Sequence, residues 1–397
     1  MRVLLSTWGS RGDVEPMLGL ALALREEGSD VRMCAPPDFA ERVAEAGVDF
    51  VPMGFAVRAL VAAKPSPADV AAALVGEHFD VIGKAAQDCD AIVASGLMPA
   101  GVRSVAEHLG IGYVLAGFHL VGMPSLHRRP GPRPGGPFPP GVTDPRELWR
   151  IDAERVDALY REPLNRYRAE LGMPPVDGVR DHVFTAQPWL AVDPVLWPFD
   201  DALGLDPVQT GAWIMPDDRP LPADLAEFLE AGEPPVYVGF GSMQMADAPE
   251  AGAMAIEAIR AQGRRALVSR GWADLALIDE EADCFAVGET NHHELFRHVA
   301  AVVHHGGAGT TTTAAVAGAS QVILPQIVDQ PYWAQRVAEL GIGAAHDGPT
   351  PTVESLSAAL DIALHDDTRA RAAEVRTEVR TDGAAVAARK LVDSCWP

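Results

Sequence analysis

The chain has 397 residues, 48% of them hydrophobic and 22% charged, which is apolar material for two globular cores and not the composition of a disordered chain. Its 55 acidic residues outnumber 32 basic ones, a formal net charge of -23, and such a field opposes sequence-independent binding to nucleic acid or to an anionic membrane. Four scattered cysteines (Cys34, Cys89, Cys284, Cys395) have no metal-ligand spacing, no apolar run is long enough for a bilayer, and the start reaches Gly9 too soon for a signal core, so a cytoplasmic protein without integral membrane association is expected.

Residues 2–6 read as a strand, followed by a turn through Gly9, Ser10, Arg11, Gly12 and Asp13. VEPMLGLALALREEG then has helical spacing and stops at Gly28. Asp13 is a candidate cap for that helix and Pro16 fits its first turn. Strands are expected over 31–35, 48–52, 91–95 and 112–116, with helices at 37–47 and 102–110. Residues 117–145 break the alternation with RRPGPRPGGPFPPG, which suits neither a helix nor a central strand and reads as a mobile flap or an exposed insertion. Residues 146–171 look helical, with Pro163 kinking or ending one segment.

The turn-rich stretch 209–222 looks like a link, after which the pattern restarts. A strand running into a glycine turn is expected over 234–243, further strands at 265–269, 301–305 and 321–325, and helices over 249–261, in TTTTAAVAG at 310–318 and from 329. Alternating buried strands and helices imply an α/β protein with mostly parallel sheets covered on both faces. Two such halves make two Rossmann-like domains facing an interdomain cleft the expected architecture, with ligands beyond the strand C-terminal ends. The expected boundaries are 1–208, a linker over 209–233, a second domain over 234–379 and a closing helix over 380–397.

VVHHGGAGTTTTAAVAG, residues 302–318, is the strongest local signal. Gly306, Gly307 and Gly309 permit a tight strand-to-helix passage and close ligand approach. Unless the glycines only make a structural turn, amides of Ala308 to Thr311 then point at phosphate oxygens, His304 or His305 adds a donor, and Thr310 and Thr311 add hydroxyls. The GFGSM turn at 239–243 brings Ser242 to the same diphosphate, unless it is a plain tight turn. Ser10 and Gly12 contact phosphate or shape acceptor space, while Arg11 neutralises charge or braces the cleft. Trp8, Phe55 and Phe118 line acceptor space or pack in the core. There is no early GxGxxG with an acidic partner and no Lys-Ser or Lys-Thr after GAGTTTT, which argues against a nicotinamide dehydrogenase and an ordinary ATPase.

These motifs, together with MRVLLSTWGSRGDVEP, QTGAWIMPDDRPLP, LVSRGWADL and ILPQIVDQPYWAQRVAELGIG, resemble those of the inverting glycosyltransferases of natural-product biosynthesis. The resemblance spans nearly the whole chain and is nearest to the branch that decorates vancomycin-like heptapeptides. It implies the GT-B fold, an N-terminal acceptor domain and a C-terminal nucleotide-sugar domain. It implies Asp13 as general base, His304 on the diphosphate, Gly306–Thr311 as phosphate loop, Asp329 and Gln330 near sugar hydroxyls and Trp272 near the nucleotide. It also implies that the last helices, 367–395, cross back to the N-terminal domain. UDP-glucose is the favoured co-substrate over a dTDP-deoxysugar, no metal or other cofactor is needed, and the expected partner is a hydrophobic or peptide-derived natural-product acceptor such as a glycopeptide aglycone. The alternatives are a dTDP-deoxysugar transferase acting on a glycopeptide pseudoaglycone or polyketide-like aglycone, and a noncatalytic nucleotide-sugar sensor. The text of 120–140, LVGMPSLHRRPGPRPGGPFPPG, departs from the longer tyrosine- and proline-rich loop of familiar relatives, which bears on the acceptor.

Overall fold

The computed structural model describes residues 1–57, 59, 63, 65–131, 133–199, 203–240, 248–270 and 281–394, with the side chains of 248–251 excepted. The chain divides into two compact units. One comprises Met1–Val192, Pro198–Met215 and Thr381–Pro397, and the other Asp193–Trp197 and Pro216–Arg380.

The first unit is built on a seven-stranded parallel sheet in the order β3-β2-β1-β4-β5-β6-β7. Its strands are β1 (Arg2–Trp8), β2 (Asp30–Ala35), β3 (Asp49–Pro52), β4 (Ala91–Gly96), β5 (Gly112–Gly117), β6 (Trp189–Leu190) and β7 (Val208–Gln209). Consecutive residues of β1 face opposite sides of the sheet. Val3 and Leu5 pack with Met17, Leu20 and Leu24 of the first helix, Arg11–Glu26. Leu4 packs on the other side with Leu74, Ile92 and Val105. Both faces are therefore covered, as an all-parallel sheet requires. The late helix Gly383–Val392 sets Ala384, Ala387, Ala388 and Leu391 into the same core as the first helix. Helix Asp366–Val375, by contrast, belongs to the second unit, so the expected return of everything from 367 onward is corrected to residues from Thr381.

The long helix runs unbroken from Pro145 to Glu170. Pro163 does not end it: it is buried with Leu164 and Tyr160 on the packed face, so tertiary packing compensates the lost N–H. Short strands β6 and β7 and the helix Pro67–Glu77 carry too weak a pattern to have been predicted.

The second unit holds a six-stranded parallel sheet, order β10-β9-β8-β11-β12-β13. Its strands are β8 (Val236–Gly239), β9 (Ala266–Ser269), β10 (Cys284–Val287), β11 (Ala301–His304), β12 (Ser320–Ile323) and β13 (Gly343–Ala345). Helix Ala223–Glu230 brings Leu225 into this unit's core beside Tyr237 and Leu267. In each sheet the order reverses beside the strand that opens the unit, between β1 and β4 and between β8 and β11. Loops leaving the C-terminal ends of strands at such a reversal form ligand-binding crevices in open α/β sheets. The Gly9–Asp13 turn follows β1, and the His305–Gly307 turn follows β11.

Candidate active site

The turn after β1 is a capping box. Ser10, with extended φ and ψ, is the N-cap of the first helix, and its N–H donates to Asp13 Oδ2 at 2.8 Å. Gly12 N–H donates to Ser10 Oγ at 3.3 Å, and Asp13 N–H to Ser10 carbonyl at 2.9 Å. Asp13 is thus the third helical residue and not the cap; the helix starts at Arg11 because Ser10 satisfies its first amides. Pro16 lies beyond the first turn, where its ring leaves the Gly12 carbonyl without the usual helical donor. The Asp13 carboxylate rests on Gly9: a Cβ there would meet Oδ2 at 2.1 Å and Cγ at 2.5 Å. Gly9 is a site residue that motif reading passed over, since only its closeness to Asp13 gives it a role. Arg11 braces the turn through Glu15 (3.1 Å), whose carboxylate also accepts both prongs of Arg42 at 2.9 and 3.0 Å.

The aromatic residues expected around an acceptor divide. Trp8 is 5% exposed, donates from Nε1 to the Phe55 carbonyl at 3.2 Å and meets the Phe55 ring edge-on. Phe118 is 8% exposed and packs edge-on against Trp213. Trp8 and Phe118 are therefore core residues, a correction to their expected acceptor role: burial of these large rings dominates over display. Phe55 stays half-buried. The Pro/Gly-rich segment after β5 does not stand off as a flap but is fastened to the long helix. Trp149 Nε1 donates to the Arg128 carbonyl (2.9 Å), Arg133 pairs with fully buried Asp152 (2.5 Å), and Arg155 donates to the Pro137 carbonyl (2.9 Å) while lying 4.3 Å from the Phe138 ring centre.

In the second unit, the turn after β11 depends on Gly306, whose φ is +88° and where a Cβ would meet Ile323 Cγ2 at 2.6 Å. Gly307 is the N-cap of helix Ala308–Ala317. The first-turn amides of Ala308, Gly309 and Thr310 have no intrahelical acceptor, which gives this helix end a geometry and dipole that suit an anion. Gly309 is exposed and Thr310 half-buried. Thr311 is buried, and its hydroxyl donates back to the Gly307 carbonyl at 2.9 Å, so its expected phosphate contact is corrected to a structural one.

His304 is corrected in the same way. It is fully buried, its Nε2 lies 2.9 Å from Gln321 Oε1, and its Nδ1 accepts the Gly306 N–H at 3.1 Å. Acceptors on one side and a donor on the other make it the neutral Nε2–H tautomer. Burial pushes its pKa down to about 3. His304 shapes the turn, and His305 is the histidine placed at the loop: its Nε2 would lie 2.6 Å from a Cβ on Gly307. Burial pushes His305 down to about 4, against an upward pull from the charge of Asp329. Its Nδ1 is buried with no hydrogen-bond partner among the described residues.

Asp329 and Gln330 border this turn, since a Cβ on Gly306 would approach the Gln330 carbonyl at 3.3 Å. Asp329 occupies the cap position of helix Gln330–Glu339 without capping it; its Oδ2 accepts the indole N–H of Trp333 at 2.7 Å. Gln330 is buried, and its Oε1 accepts the N–H groups of Gln326 (2.7 Å) and Ile327 (3.0 Å). That carbonyl braces a loop in which Val328 takes φ +55°, a strained value for a β-branched residue, so Gln330 supports the loop through its side-chain oxygen. Trp272 and Ser242 lie outside the described residues.

Residues 3–115 match the glycosyltransferase family 28 N-terminal domain, and residues 283–391 the erythromycin biosynthesis protein CIII-like C-terminal domain. The chain is 54% identical to glycosyltransferase GtfE of Amycolatopsis orientalis over 98% of this chain and 96% of that one. It is also 54% identical to vancomycin aglycone glucosyltransferase of the same organism, over 99% of this chain and 98% of the relative. Among solved structures, the glycotransferase of kitacinnamycin superposes with a TM-score of 0.76 at 20% identity, covering 100% of this chain and 99% of that one.

Proposed function

From the premise that this chain belongs to the vancomycin-type GT-B glycosyltransferases, we propose that it transfers glucose from UDP-glucose to a hydroxyl of a glycopeptide antibiotic aglycone, with inversion at the anomeric carbon. The observation that carries the reading is the near-full-length kinship with a vancomycin aglycone glucosyltransferase. Two turns at strand ends, one basic and one anion-binding, supply the chemistry such a transfer needs.

Glycosyl transfer by direct displacement needs a base for the attacking hydroxyl and stabilisation of the departing diphosphate. Asp13 accepts the acceptor proton as its oxygen attacks the anomeric carbon. The Ser10 N–H holds one carboxylate oxygen, which sets the orientation of the group before substrate arrives. The C–O bond to UDP breaks on the opposite face, so an α-linked donor yields a β-linked product. Negative charge growing on the diphosphate meets the amides of Ala308, Gly309 and Thr310, the Thr310 hydroxyl and an N–H of His305. The Asp329 carboxylate receives sugar hydroxyls. Ser10, Arg11 and Gly12 serve by building the turn that carries Asp13, and Ser242 and Trp272 remain assigned to diphosphate and nucleotide by resemblance alone. A diphosphate met by a helix N-terminus and neutral donors needs no divalent cation.

The test is incubation of the purified protein with vancomycin aglycone and, separately, UDP-glucose, UDP-N-acetylglucosamine or dTDP-vancosamine, followed by mass spectrometry of the acceptor. A hexose increment from UDP-glucose supports the reading. Transfer from dTDP-vancosamine with none from UDP-glucose replaces the donor, and nucleotide-sugar binding without any increment on vancomycin-type aglycones rejects the proposed acceptor.

A further inference from the structure

The Asp329 carboxylate has a single hydrogen-bond donor among the described residues, the indole of Trp333 one helical turn on. The bond, at 2.7 Å, is short for N–H···O and charge-assisted. It occupies Oδ2 and leaves Oδ1 pointing from a carboxylate whose side-chain torsions are fixed. The indole cannot swing away. Trp333 is 1% exposed, and the ring of Trp197 meets it edge-on, with centroids 4.8 Å apart and planes at 89°. Trp197 is itself fully buried and lies flat on Tyr332, 3.7 Å between centroids.

Trp197 reaches this position on a short excursion. Residues Asp193–Trp197 belong to the second unit although the sequence on either side belongs to the first. The excursion is fastened at both ends of its own turn. Arg336, on the helix that carries Trp333, donates twice to the Val195 carbonyl, at 2.7 and 3.2 Å. Asp193 accepts the Arg380 N–H at 2.9 Å and the Val195 N–H at 2.8 Å. Buried aromatic rings in edge-on and stacked contact lose little when ordered and resist rotation. The arrangement is a rigid support for one carboxylate, of the kind that fixes a reacting or binding group to within a fraction of an ångström.

We infer that Trp333 is a positioning residue for donor-sugar recognition, holding Asp329 through its indole N–H, with Trp197 as the clamp that keeps the indole in place. This deepens the proposed role of Asp329 and rests on it. Trp333 touches no substrate; it acts through the carboxylate. A support of this kind accounts for a tryptophan at 333 where an apolar ring alone would fill the space.

The test is a double-mutant cycle with UDP-glucose as donor and vancomycin aglycone as acceptor. Trp333→Phe keeps the ring and removes the N–H. It is expected to lower kcat/KM for UDP-glucose about tenfold, as loss of one hydrogen bond to a charged group does, while leaving the Kd for free UDP unchanged. Asp329→Ala alone is expected to lower kcat/KM at least as far. In the Asp329→Ala background, Trp333→Phe is expected to cause no further loss, because the group it acts through is gone. Trp197→Leu, which loosens the clamp and leaves the N–H, is expected to give a smaller loss that also vanishes in that background. Equal losses from Trp333→Phe with and without Asp329 would overturn the positioning role while leaving Asp329 as a sugar contact. An Asp329→Ala enzyme with unchanged kcat/KM would overturn both. Should Trp333→Phe fail to fold, the Trp197→Leu arm of the cycle decides in the same way.

Discussion

Gly9 and Asp13 occupy one volume: a methyl group on residue 9 would sit 2.1 Å from the carboxylate oxygen that Ser10 holds. The glycine is there because the carboxylate is. Gly9→Ala is expected to displace Asp13 and lower kcat by roughly 10²-fold or more, the scale of a misplaced general base, with the Kd for UDP unchanged. Steady-state kinetics beside calorimetric UDP titration reads both.

Asp13→Asn separates the cap from the base. The amide oxygen of asparagine still accepts the Ser10 N–H, so the melting temperature is expected to stay within a few degrees. Turnover is expected to fall by roughly 10²–10⁴-fold. A near-normal rate would remove Asp13 from the mechanism.

The glycines of the turn proposed to hold the diphosphate are not equivalent. Gly306→Ala places a Cβ 2.6 Å from Ile323 at a φ of +88° and is expected to cost about 1–3 kcal/mol of stability. Gly309 meets nothing within 4 Å and is exposed. Gly309→Ala is therefore expected to fold normally and to raise the KM for UDP-glucose, because the new methyl group stands where the diphosphate approaches. Thermal melts and donor titrations distinguish the two.

Buried histidines set an acid limit. Burial lowers His78 and His304 to about 3 and His182 and His305 to about 4. In the unfolded chain each titrates near 6.5, so below that pH the unfolded state binds more protons and stability falls as pH falls. The contribution is fully present above about 6.5 and is lost progressively down to about 3–4. The melting temperature is expected to drop between pH 7 and pH 5, and His304→Gln is expected to drop less steeply over the same range.

Arg133 and Asp152 fasten the Pro/Gly-rich segment to the long helix. Asp152 is fully buried, and Arg133→Gln leaves that carboxylate without its cation, at a cost of about 3 kcal/mol. Faster trypsin cleavage after Arg128 relative to the parent protein is the expected sign, read by mass spectrometry of early fragments.

The two parallel sheets were legible because their strands are runs of buried aliphatics between helices of regular period, such as Val3–Leu5 and Ala301–Val303. The tight strand-to-helix turn was legible because Gly306 and Gly307 stand between a strand and a helix start. Which of His304 and His305 faces the loop was not: it depends on Gln321, on the neighbouring strand, which takes His304 inward. Neither was the fate of Trp8 and Phe118, since an aromatic residue at the end of a strand has the same sequence appearance in a core as in a pocket. Trp333 escaped notice because its meaning lies in one hydrogen bond to Asp329 and in the distant Trp197.

The helix Gly383–Val392 lies against the helix that carries Asp13, and Gly383 is admitted only because a Cβ there would strike the Ala212 carbonyl at 2.4 Å. During synthesis this has an order-of-events consequence. The segment that bears Asp13 emerges from the ribosome first, yet one wall of its core is translated only after the whole of residues 216–380. The first unit waits, incomplete, while the second is made.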